Sequence, residues 1–411
     1  MRKIMACLDV GSDVVKLVVG EMVKKKLNIL AVCDAPSSGV SNGLVLEPSR
    51  LLEVLKGVVQ KAQDMIGLPI HQMIVSVPSN KASFAAVTGT VNIENEGGLI
   101  NGKDVIRALN SAIKSKRSET MEYISVMPTS FTLDDDRVVR DPKGLTSSTL
   151  TVRGVMVSAP KKNIYPILAC LERLNIEVLD IAVDAIGDYF TYKTKECDKS
   201  VGVLVNLGHE KTTLSVFNKS VLTNSVVLPV GGRNVDSDIA YIYKVTALEA
   251  KNLKEHFALA HKNLAQTSEF MEVYDTDKKV VKVSQLEISE IVQSRFEQIF
   301  NLIKKEINYL TKKEISYIIF TGGLTECKDF QLVLNENFKN ARLGTINEIG
   351  VRNNKYSSCV GLIKFYAYSA QLKDKDYSIF SIDEQQLLSG NSVDGQNENV
   401  ISKLFGYIFN G

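Results

Sequence analysis

Two apolar segments, each folding back at a glycine-containing turn, constrain the fold of this chain most strongly. The first spans residues 6–20 and turns at Asp9-Val-Gly-Ser-Asp13, and the second spans residues 201–217 and turns at Asn206-Leu-Gly-His-Glu-Lys211. Turns of this kind direct backbone N–H groups into a concavity that suits an anion. Only glycine lets a phosphate come close to the backbone. We therefore expect both turns to face one bound polyphosphate.

Lys16 supports a phosphate site at the first turn. It interrupts the apolar run Val14–Val19, and burial of an unpaired ammonium is expensive. A bound phosphate would offset that cost. The alternative is an ordinary hairpin with an exposed lysine, because turn signatures this short are common.

The residues of the first turn are candidates for two roles. Gly11, Ser12, Asp13 and Lys16 are the candidate phosphate-binding residues. Asp9 ends the preceding strand and is the candidate ligand for Mg²⁺, through water.

Size and charge exclude some classes of function. A chain of 411 residues is too long for one typical core and predicts two or more domains. The net charge is only +2, and 45% of the residues are hydrophobic. The low net charge means that nucleic acid is not expected as a partner. The hydrophobic fraction is typical of a globular protein.

The six cysteines are far apart and form no Cys-x-x-Cys pair. They predict buried, reduced thiols in a cytosolic protein rather than a zinc site or a disulfide framework. The N-terminus carries no apolar region long enough for a signal peptide, and no apolar run approaches 18 residues.

The first 200 residues alternate strand and helix signals, with one interruption. We expect residues 1–83 and 159–200 to form an α/β domain that includes an amphipathic helix at Pro48–Ile66. Residues 84–158 differ, with two strands flanking one helix and a loop at 134–144. They predict a small inserted α+β subdomain.

The second half begins at the second hairpin. Because each half opens in the same way, we expect residues 201–244 and 314–370 to form a similar domain that faces the first across a cleft. Residues 245–313 predict a mainly helical subdomain, broken by a polar stretch at 267–282. The predicted fold class is thus α/β.

Two glycine pairs follow strands in the second half. Gly322 and Gly323, followed by Leu324, suit a site where backbone packs against a flat ligand such as adenine or ribose, although such a pair is usually only a turn. Gly231 and Gly232 end a strand and open a helix whose N-terminus would lie beside a nucleotide.

Lys254 is a candidate for the ribose side of the cleft. The alternative is a solvated lysine on a helix.

One segment resembles a P-loop only superficially. Gly97–Lys103 fits the pattern, but Asp104 stands where the Mg²⁺-binding serine or threonine belongs, and a carboxylate there would repel phosphate. We expect a loop and the start of a helix. The four histidines lack metal-ligand spacing, and their scatter neither supports nor excludes a Ser/His/Asp triad.

The C-terminal residues change character abruptly. Residues 371–399 are predicted to be a flexible linker, with four acidic and no basic residues between Asp383 and Asn399. Residues 400–411 predict a short amphipathic helix that needs a surface to fold against. Membrane lipid is the preferred surface, and this protein itself or a partner is the alternative. The candidate membrane-contacting residues are Ile401, Leu404, Phe405, Ile408 and Phe409.

The chain resembles the FtsA family of bacterial actin-like cell-division proteins over essentially its whole length. The resemblance rests on an ordered set of motifs together with the C-terminal amphipathic segment. These motifs are Leu8–Ser12, Val19–Glu21, Asp141–Leu145, Ser237–Tyr241, Phe320–Gly323 and Ser358–Leu362. It implies two actin-like, ribonuclease H-like domains around a nucleotide cleft, with one subdomain replaced by an inserted one.

The resemblance also implies a function. It implies ATP binding with Mg²⁺, self-association into filaments, docking of the C-terminal tail of the ring protein FtsZ, and tethering of that ring to the inner face of the cytoplasmic membrane at the division site. Sites carried over from the family fall into three groups. Asp9, Gly11, Ser12 and Lys16 would serve phosphate and Mg²⁺, Asn206 and Gly208 the second phosphate turn, and Gly231, Gly232, Lys254, Gly322 and Gly323 the nucleoside.

The second turn departs from the usual actin-like pattern of an aspartate followed by several glycines. Asn206 replaces the aspartate, and an amide cannot act as a general base or hold Mg²⁺ as a carboxylate does. Lys211 is a candidate to supply positive charge in place of backbone donors. We therefore expect nucleotide binding with very slow hydrolysis or none.

Two other functions fit parts of the pattern. One is an actin-superfamily small-molecule kinase, which needs a catalytic aspartate and has no evident use for a lipid-seeking tail. The other is an actin-like pilus-assembly scaffold that grips a peptide of a membrane partner.

Overall fold

The structure is a computed structural model that describes residues 3–24, 26–113, 118–375, 378–379 and 384–385. The predicted amphipathic helix at 400–411, with its five candidate membrane-contacting residues, lies outside the described residues, as does most of the predicted linker. Among the residues described, no helix has both the length and the apolar character needed to cross a bilayer.

The first domain begins with an antiparallel meander of three strands. Asp9 and Lys16 are cross-strand neighbours at its turn. The elements up to residue 77 are β1 Lys3–Val10, β2 Val14–Val23, β3 Lys26–Pro36, β4 Val40–Ser41, β5 Leu44–Val45, α1 Pro48–Ile66 and β6 Gln72–Val77.

Helix α1 has the predicted bounds, for local reasons. Pro48 occupies its first turn, where the missing N–H has no partner to lose. Gly67 ends it in the left-handed conformation, with φ of 74°. Its buried face consists of Leu51, Leu55, Val58, Val59, Ala62 and Ile66.

The inserted residues form a separate four-stranded sheet in the order β7-β10-β8-β9, covered by one helix. Its elements are β7 Ser83–Asn92, a 3₁₀ turn at Glu96–Gly98, α2 Gly102–Ile113, β8 Met121–Leu133, β9 Val138–Val139 and β10 Thr149–Pro160. The sequence analysis missed strand β8, which contains Pro128. A register shift between Arg153 and Gly154 on the neighbouring strand accommodates this proline.

The segment that resembles a P-loop is a loop and helix start, as predicted. The Gly102 N–H donates to Asp374 Oδ2 at 2.8 Å, so the anion at this helix N-terminus is a carboxylate of the chain itself. Lys143 lies in the Asp141–Leu145 motif and donates to Asp374 Oδ1 at 2.6 Å. Asp374 therefore attaches the inserted subdomain to the end of the helix Ser357–Leu372.

The chain then returns to the first sheet. The elements are α3 Lys161–Arg173, β11 Glu177–Val183 and α4 Asp184–Tyr192. Strands β11, β6 and β1 are parallel neighbours, which gives the order β11-β6-β1-β2-β3.

The second domain repeats this topology with the order β14-β13-β12-β17-β18, a meander followed by two parallel strands. The predicted α/β fold class is confirmed. The elements are β12 Val201–Leu207, β13 Thr212–Asn218, β14 Val221–Leu228, α5 Gly232–Tyr243, α6 Ala247–His256, β15 Phe270–Tyr274, β16 Val280–Ser284, α7 Gln285–Leu310, β17 Tyr317–Thr321, α8 Phe330–Asn337, β18 Ala341–Leu343 and α9 Ser357–Leu372. Three 3₁₀ turns lie at Lys262–Leu264, Gly323–Glu326 and Asn354–Tyr356.

The polar stretch at 267–282 was predicted only as a break between helices. It contains most of the hairpin formed by β15 and β16. The aromatic and β-branched residues Phe270, Val273 and Tyr274 were the available strand signal.

Helices α4 and α9 cross in direct backbone contact between the two domains. A Cβ added to Gly361 would overlap the carbonyl oxygen of Gly187, and one added to Gly187 would overlap that of Ser358. Both glycines are required by this close approach. The crossing joins the first sheet to the second.

We predict that Gly361→Ala lowers the free energy of unfolding by about 3 kcal/mol or more, because the new methyl group has no space. Gly57→Ala is the matched control, since Gly57 lies inside helix α1 with no atom within 4 Å of its Cβ position. It should stabilise the protein by about 0.5–1 kcal/mol. Urea denaturation measures both. Equal effects of the two substitutions would contradict the close crossing.

Candidate functional site

A cavity of about 530 Å³ lies between the two domains, where the turns of the two meanders approach each other. This volume is within the range of about 300–1,000 Å³ that small-molecule sites occupy. All but one of the predicted nucleotide-binding and Mg²⁺-binding residues line it. These residues are Asp9, Gly11, Ser12, Asp13, Lys16, Asn206, Gly208, Gly232, Lys254, Gly322, Gly323 and Leu324.

Gly231 is the exception, because it packs behind the second turn. A Cβ there would crowd the carbonyl oxygens of Gly208 and His209. The N–H groups of Gly232 and Arg233 donate to those same carbonyls at 3.0 and 2.7 Å. The start of helix α5 therefore supports the second turn.

At the first turn, Lys16 and Asp9 form an ion pair. Lys16 Nζ donates to Asp9 Oδ2 at 2.5 Å, and the two side chains are 12% and 14% exposed. Burial alone would lower the pKa of Lys16, but the charge and hydrogen bond of Asp9 outweigh it and raise this pKa above its ordinary value. The alternative of an exposed lysine is wrong. In the structure a carboxylate stabilises the ammonium.

The second turn holds a lysine that reaches across the cleft. Lys211 Nζ lies 3.4 Å from Asp184 Oδ2 and donates to Asn80 Oδ1 at 3.2 Å. Asp184 and Asn80 belong to the first domain. Gly208 closes the turn by donating its N–H to the Lys211 carbonyl at 2.9 Å.

The two turns meet at Gly43. The Gly43 N–H donates to Ser12 Oγ at 2.7 Å, and its Cβ position lies 2.8 Å from Lys211 Nζ. Gly43 has φ of 74°, so a larger residue would be strained there and would also displace the lysine.

Lys254 is a buried ion-pair partner, and the alternative of a solvated lysine is wrong. Its Nζ lies 2.7 Å from Asp236 Oδ1, with both side chains nearly inaccessible. The ammonium lies 3.2 Å from the Cβ position of Gly232. This places a fixed positive charge beside the start of helix α5.

Gly322 follows strand β17 with φ of 96°, a conformation that favours glycine. A Cβ there would overlap Asn206 Oδ1 and the Leu207 carbonyl. By contrast, Gly323 meets only one side-chain atom, at 3.9 Å. Gly323 is exposed and leaves open space on this wall of the cavity.

Two further contacts bridge the domains. Lys251 Nζ donates to both carboxylate oxygens of Asp13, at 2.7 and 2.8 Å. Glu210 accepts hydrogen bonds from Asn42 N at 2.5 Å and from Ser41 Oγ at 3.2 Å. Burial raises the pKa of Asp13, but the hydrogen bond and charge of Lys251 outweigh it and hold that pKa below its ordinary value.

Asp188 is a buried carboxylate behind the cavity. It accepts hydrogen bonds from Ser357 Oγ at 2.6 Å, Ser358 Oγ at 2.8 Å and Asn206 Nδ2 at 2.6 Å. Burial raises the pKa of Asp188 to about 6, against the lowering effect of these donors. The side chain thus joins α4, α9 and the second hairpin.

The sequence analysis missed Asp184, Asp188 and Lys251. Asp184 and Asp188 lie one helical turn apart at the start of the helix that follows strand β11. Lys251 lies one turn before Lys254 on α6. Those spacings were the available signals. The partners of these residues are remote in sequence and carry no local signal.

The side chains of the cavity fit Mg²⁺ only if waters and phosphate oxygens supply the remaining ligands. No cluster of three or more His, Cys, Asp or Glu side chains suited to a metal occurs in the described parts of the chain. Asp9 and Asp184 both line the cavity, and Mg²⁺ commonly uses one or two carboxylates together with waters and phosphate oxygens. Asp9 as the Mg²⁺ ligand stays a prediction.

Solved structures with a similar fold place the protein in the actin-like class. A chain of the PilM–PilN type IV pilus biogenesis complex matches with a TM-score of 0.57 at 13% identity, covering 87% of this chain and 97% of that one. MreB5 of Spiroplasma citri bound to ADP matches with a TM-score of 0.54 at 12% identity, covering 90% and 98%. At such identities these similarities show the fold alone.

Sequence comparisons identify the family within that class. The profile described as "Cell division protein FtsA" matches residues 203–361, and that of the "SHS2 domain inserted in FTSA" matches residues 80–158. The cell division protein FtsA of Bacillus subtilis is 28% identical over 373 residues, covering 90% of this chain and 84% of that protein. FtsA of Enterococcus faecalis is 25% identical, covering 89% and 83%. The chain belongs to the FtsA family of cell division proteins.

We predict that Asp188→Asn changes the pH dependence of stability. The pKa of Asp188 is about 6 in the folded protein and about 3.9 in an unfolded chain. The folded state therefore binds the extra proton between these values, and this group destabilises the protein as pH rises from about 4 to about 6.

Relative to Asp188→Asn, the native protein should gain about 2 kcal/mol as pH falls from 7 to 4. Urea denaturation at several pH values measures the free energy of unfolding of both proteins. The other titrating groups are the same in both, so their contributions cancel in the difference. A difference that does not change with pH would contradict the buried carboxylate.

Proposed function

We propose that this protein binds ATP with Mg²⁺ in the cleft, self-associates, and attaches the FtsZ ring to the inner face of the cytoplasmic membrane. The observation that carries the nucleotide part is the meeting of two turns, remote in sequence, at one cavity. The rest is supported by membership of a cell-division family.

The charges in the cleft suit an anion that carries a cation with it. Lys16 and Lys211 line the cavity from opposite domains, and each has a carboxylate partner, Asp9 or Asp184. A polyphosphate would compete with those carboxylates for the lysines. Asp9 and Asp184, once released from the lysines, would hold Mg²⁺, which would supply positive charge against the phosphates. The cavity thus offers lysines for the phosphates of ATP and carboxylates for Mg²⁺.

Slow hydrolysis is also part of the proposal. Asn206 cannot take a proton from water, and its Nδ2 donates to Asp188. The other nearby carboxylate, Asp184, accepts hydrogen bonds from Ser79 and lies beside Lys211. These contacts occupy both oxygens of the Asp184 carboxylate and leave neither free to take a proton from an attacking water. The site is therefore suited to hold ATP rather than to turn it over.

Proteins of similar fold are described in ways that agree with this function. MreB5 of Spiroplasma citri is bound to ADP in one structure and to AMPPNP in another, and MamK is described as a double helical filament. We infer nucleotide binding and filament formation for this chain from its cleft and its family, and these neighbours are consistent with both.

We predict that MgATP raises the melting temperature of the native protein by several degrees, since a ligand at 100 times its Kd adds about 2.7 kcal/mol. Lys16→Met should lose most of this shift, because it removes the charge inside the first turn. Lys56→Met is the matched control, because Lys56 is exposed on helix α1 and pairs only with Glu53. Thermal denaturation with and without MgATP measures all three. An unchanged shift in Lys16→Met would contradict the phosphate site.

We predict that deletion of residues 399–411 releases the protein from membranes and leaves the folded domains intact. In a flotation assay with FtsZ and vesicles of anionic and zwitterionic lipid, the full chain should carry FtsZ to the top fraction. The truncated chain and FtsZ should remain together at the bottom. Flotation of the truncated chain would contradict the membrane role of this segment, and failure of the full chain to move FtsZ would contradict the adaptor role.

A further inference from the structure

A second and larger cavity, of about 1570 Å³, lies at the end of the first domain away from the nucleotide cleft. Its walls come from the start of β1 and end of β2, from β8 in the inserted subdomain, from the turn between β13 and β14, and from helix α9. We call it the rear groove. It is open to solvent and touches both domains and the inserted subdomain.

Apolar and aromatic side chains form much of the rear groove. Phe190 and Phe365 pack edge to face with centroids 5.0 Å apart. Beside them, Tyr368 is 44% exposed and Val23 is 41% exposed. Lys193 places its ammonium 4.4 Å from the centre of the Phe190 ring. An exposed apolar surface of this kind usually has a partner.

The chain itself runs to this groove after helix α9. The Ile379 N–H donates to the carbonyl of Ile4 at 2.9 Å, beside the start of β1. Gln385 is only 6% exposed and is one of the lining residues. The last described residues of the chain therefore lie at the groove.

We propose that residues 400–411 of the same chain dock in the rear groove when no membrane is available. Fourteen residues separate Gln385 from Val400, and the linker that the sequence predicts there would have a mean span of about 20 Å. Such a linker gives an effective concentration in the millimolar range. Docking within one molecule thus needs only a modest intrinsic affinity.

The rear groove matches the predicted helix in size and the segment before that helix in charge. A helix of 12 residues is about 18 Å long and about 10 Å wide, and a cylinder of that size has a volume of about 1,400 Å³. Six cationic and three acidic side chains line the groove. Between Gln385 and Val400 the chain carries Asp394 and Glu398 and no basic residue. The segment leading to the docked residues thus has the opposite charge.

Docking would make membrane attachment conditional. The apolar face of residues 400–411 would pack either against the exposed apolar side chains of the groove, Val23 and Tyr368 among them, or against lipid, and not against both. Because the groove has walls from both domains, the docked segment would also link their positions. This inference rests on the proposed membrane role.

A disulfide-trapping experiment tests the docking directly. Thr129 is exposed on β8 and lines the groove, so Thr129→Cys is paired with Tyr407→Cys. Tyr241→Cys with Tyr407→Cys is the control pair, because Tyr241 is 86% exposed and lies outside the groove. The native cysteines are all buried. Under mild oxidation without lipid, the groove pair should cross-link within one molecule at least about ten times faster than the control pair. Anionic vesicles should abolish this difference.

A second variant tests the competition with lipid. Thr129→Trp obstructs the groove and should raise the apparent affinity for vesicles about threefold to tenfold, as expected when a competing bound state is removed. Tyr241→Trp should leave that affinity unchanged. Cross-linking at the control rate, cross-links mainly between two molecules, or no gain in affinity for Thr129→Trp would each overturn the proposal.

The two proposals fail separately. If the full chain floats with vesicles but the groove pair cross-links at the control rate, docking is wrong and the membrane role stands. If the groove pair cross-links rapidly but the full chain does not float, docking stands and the membrane role is wrong.

Discussion

The buried carboxylate of Asp188 is the interaction on which the arrangement of the two domains depends. Its three hydrogen-bond donors come from α9 and from the second hairpin, while Asp188 itself lies on α4. The adjacent backbone contact between Gly187 and Gly361 leaves no room for adjustment. Together they fix where Asn206 and the second turn lie relative to the first sheet, and hence the width of the cleft.

This network also gives a physical reason why position 206 is an asparagine instead of the aspartate of the usual actin-like pattern. A carboxylate there would face Asp188 at hydrogen-bond distance, and two buried like charges would repel. An amide instead donates to Asp188. Asn206 therefore stabilises the junction between the domains, and the same exchange removes a candidate base from the cavity. The asparagine at position 206 would thus account both for the stable junction between the domains and for slow hydrolysis.

Local sequence patterns predicted what is local in the structure. The two turns, the bounds of α1 and the glycine pair at 322–323 follow from periodicity and backbone conformation. Strand β8 was missed because Pro128 argues against a strand. The partners of Lys211 and Lys251 were missed because they depend on the approach of two domains. For Lys16, the pattern indicated that the ammonium needs an anion, but it did not reveal that Asp9 is the neighbour in the folded hairpin.

The central claim is that both turns contact the same polyphosphate. Hydrogen–deuterium exchange during a titration with MgATP tests it most directly, because peptides covering residues 9–16 and 206–211 report each turn separately. The account predicts that both peptides become protected with the same midpoint. Protection of only one of them, or two clearly different midpoints, would contradict it.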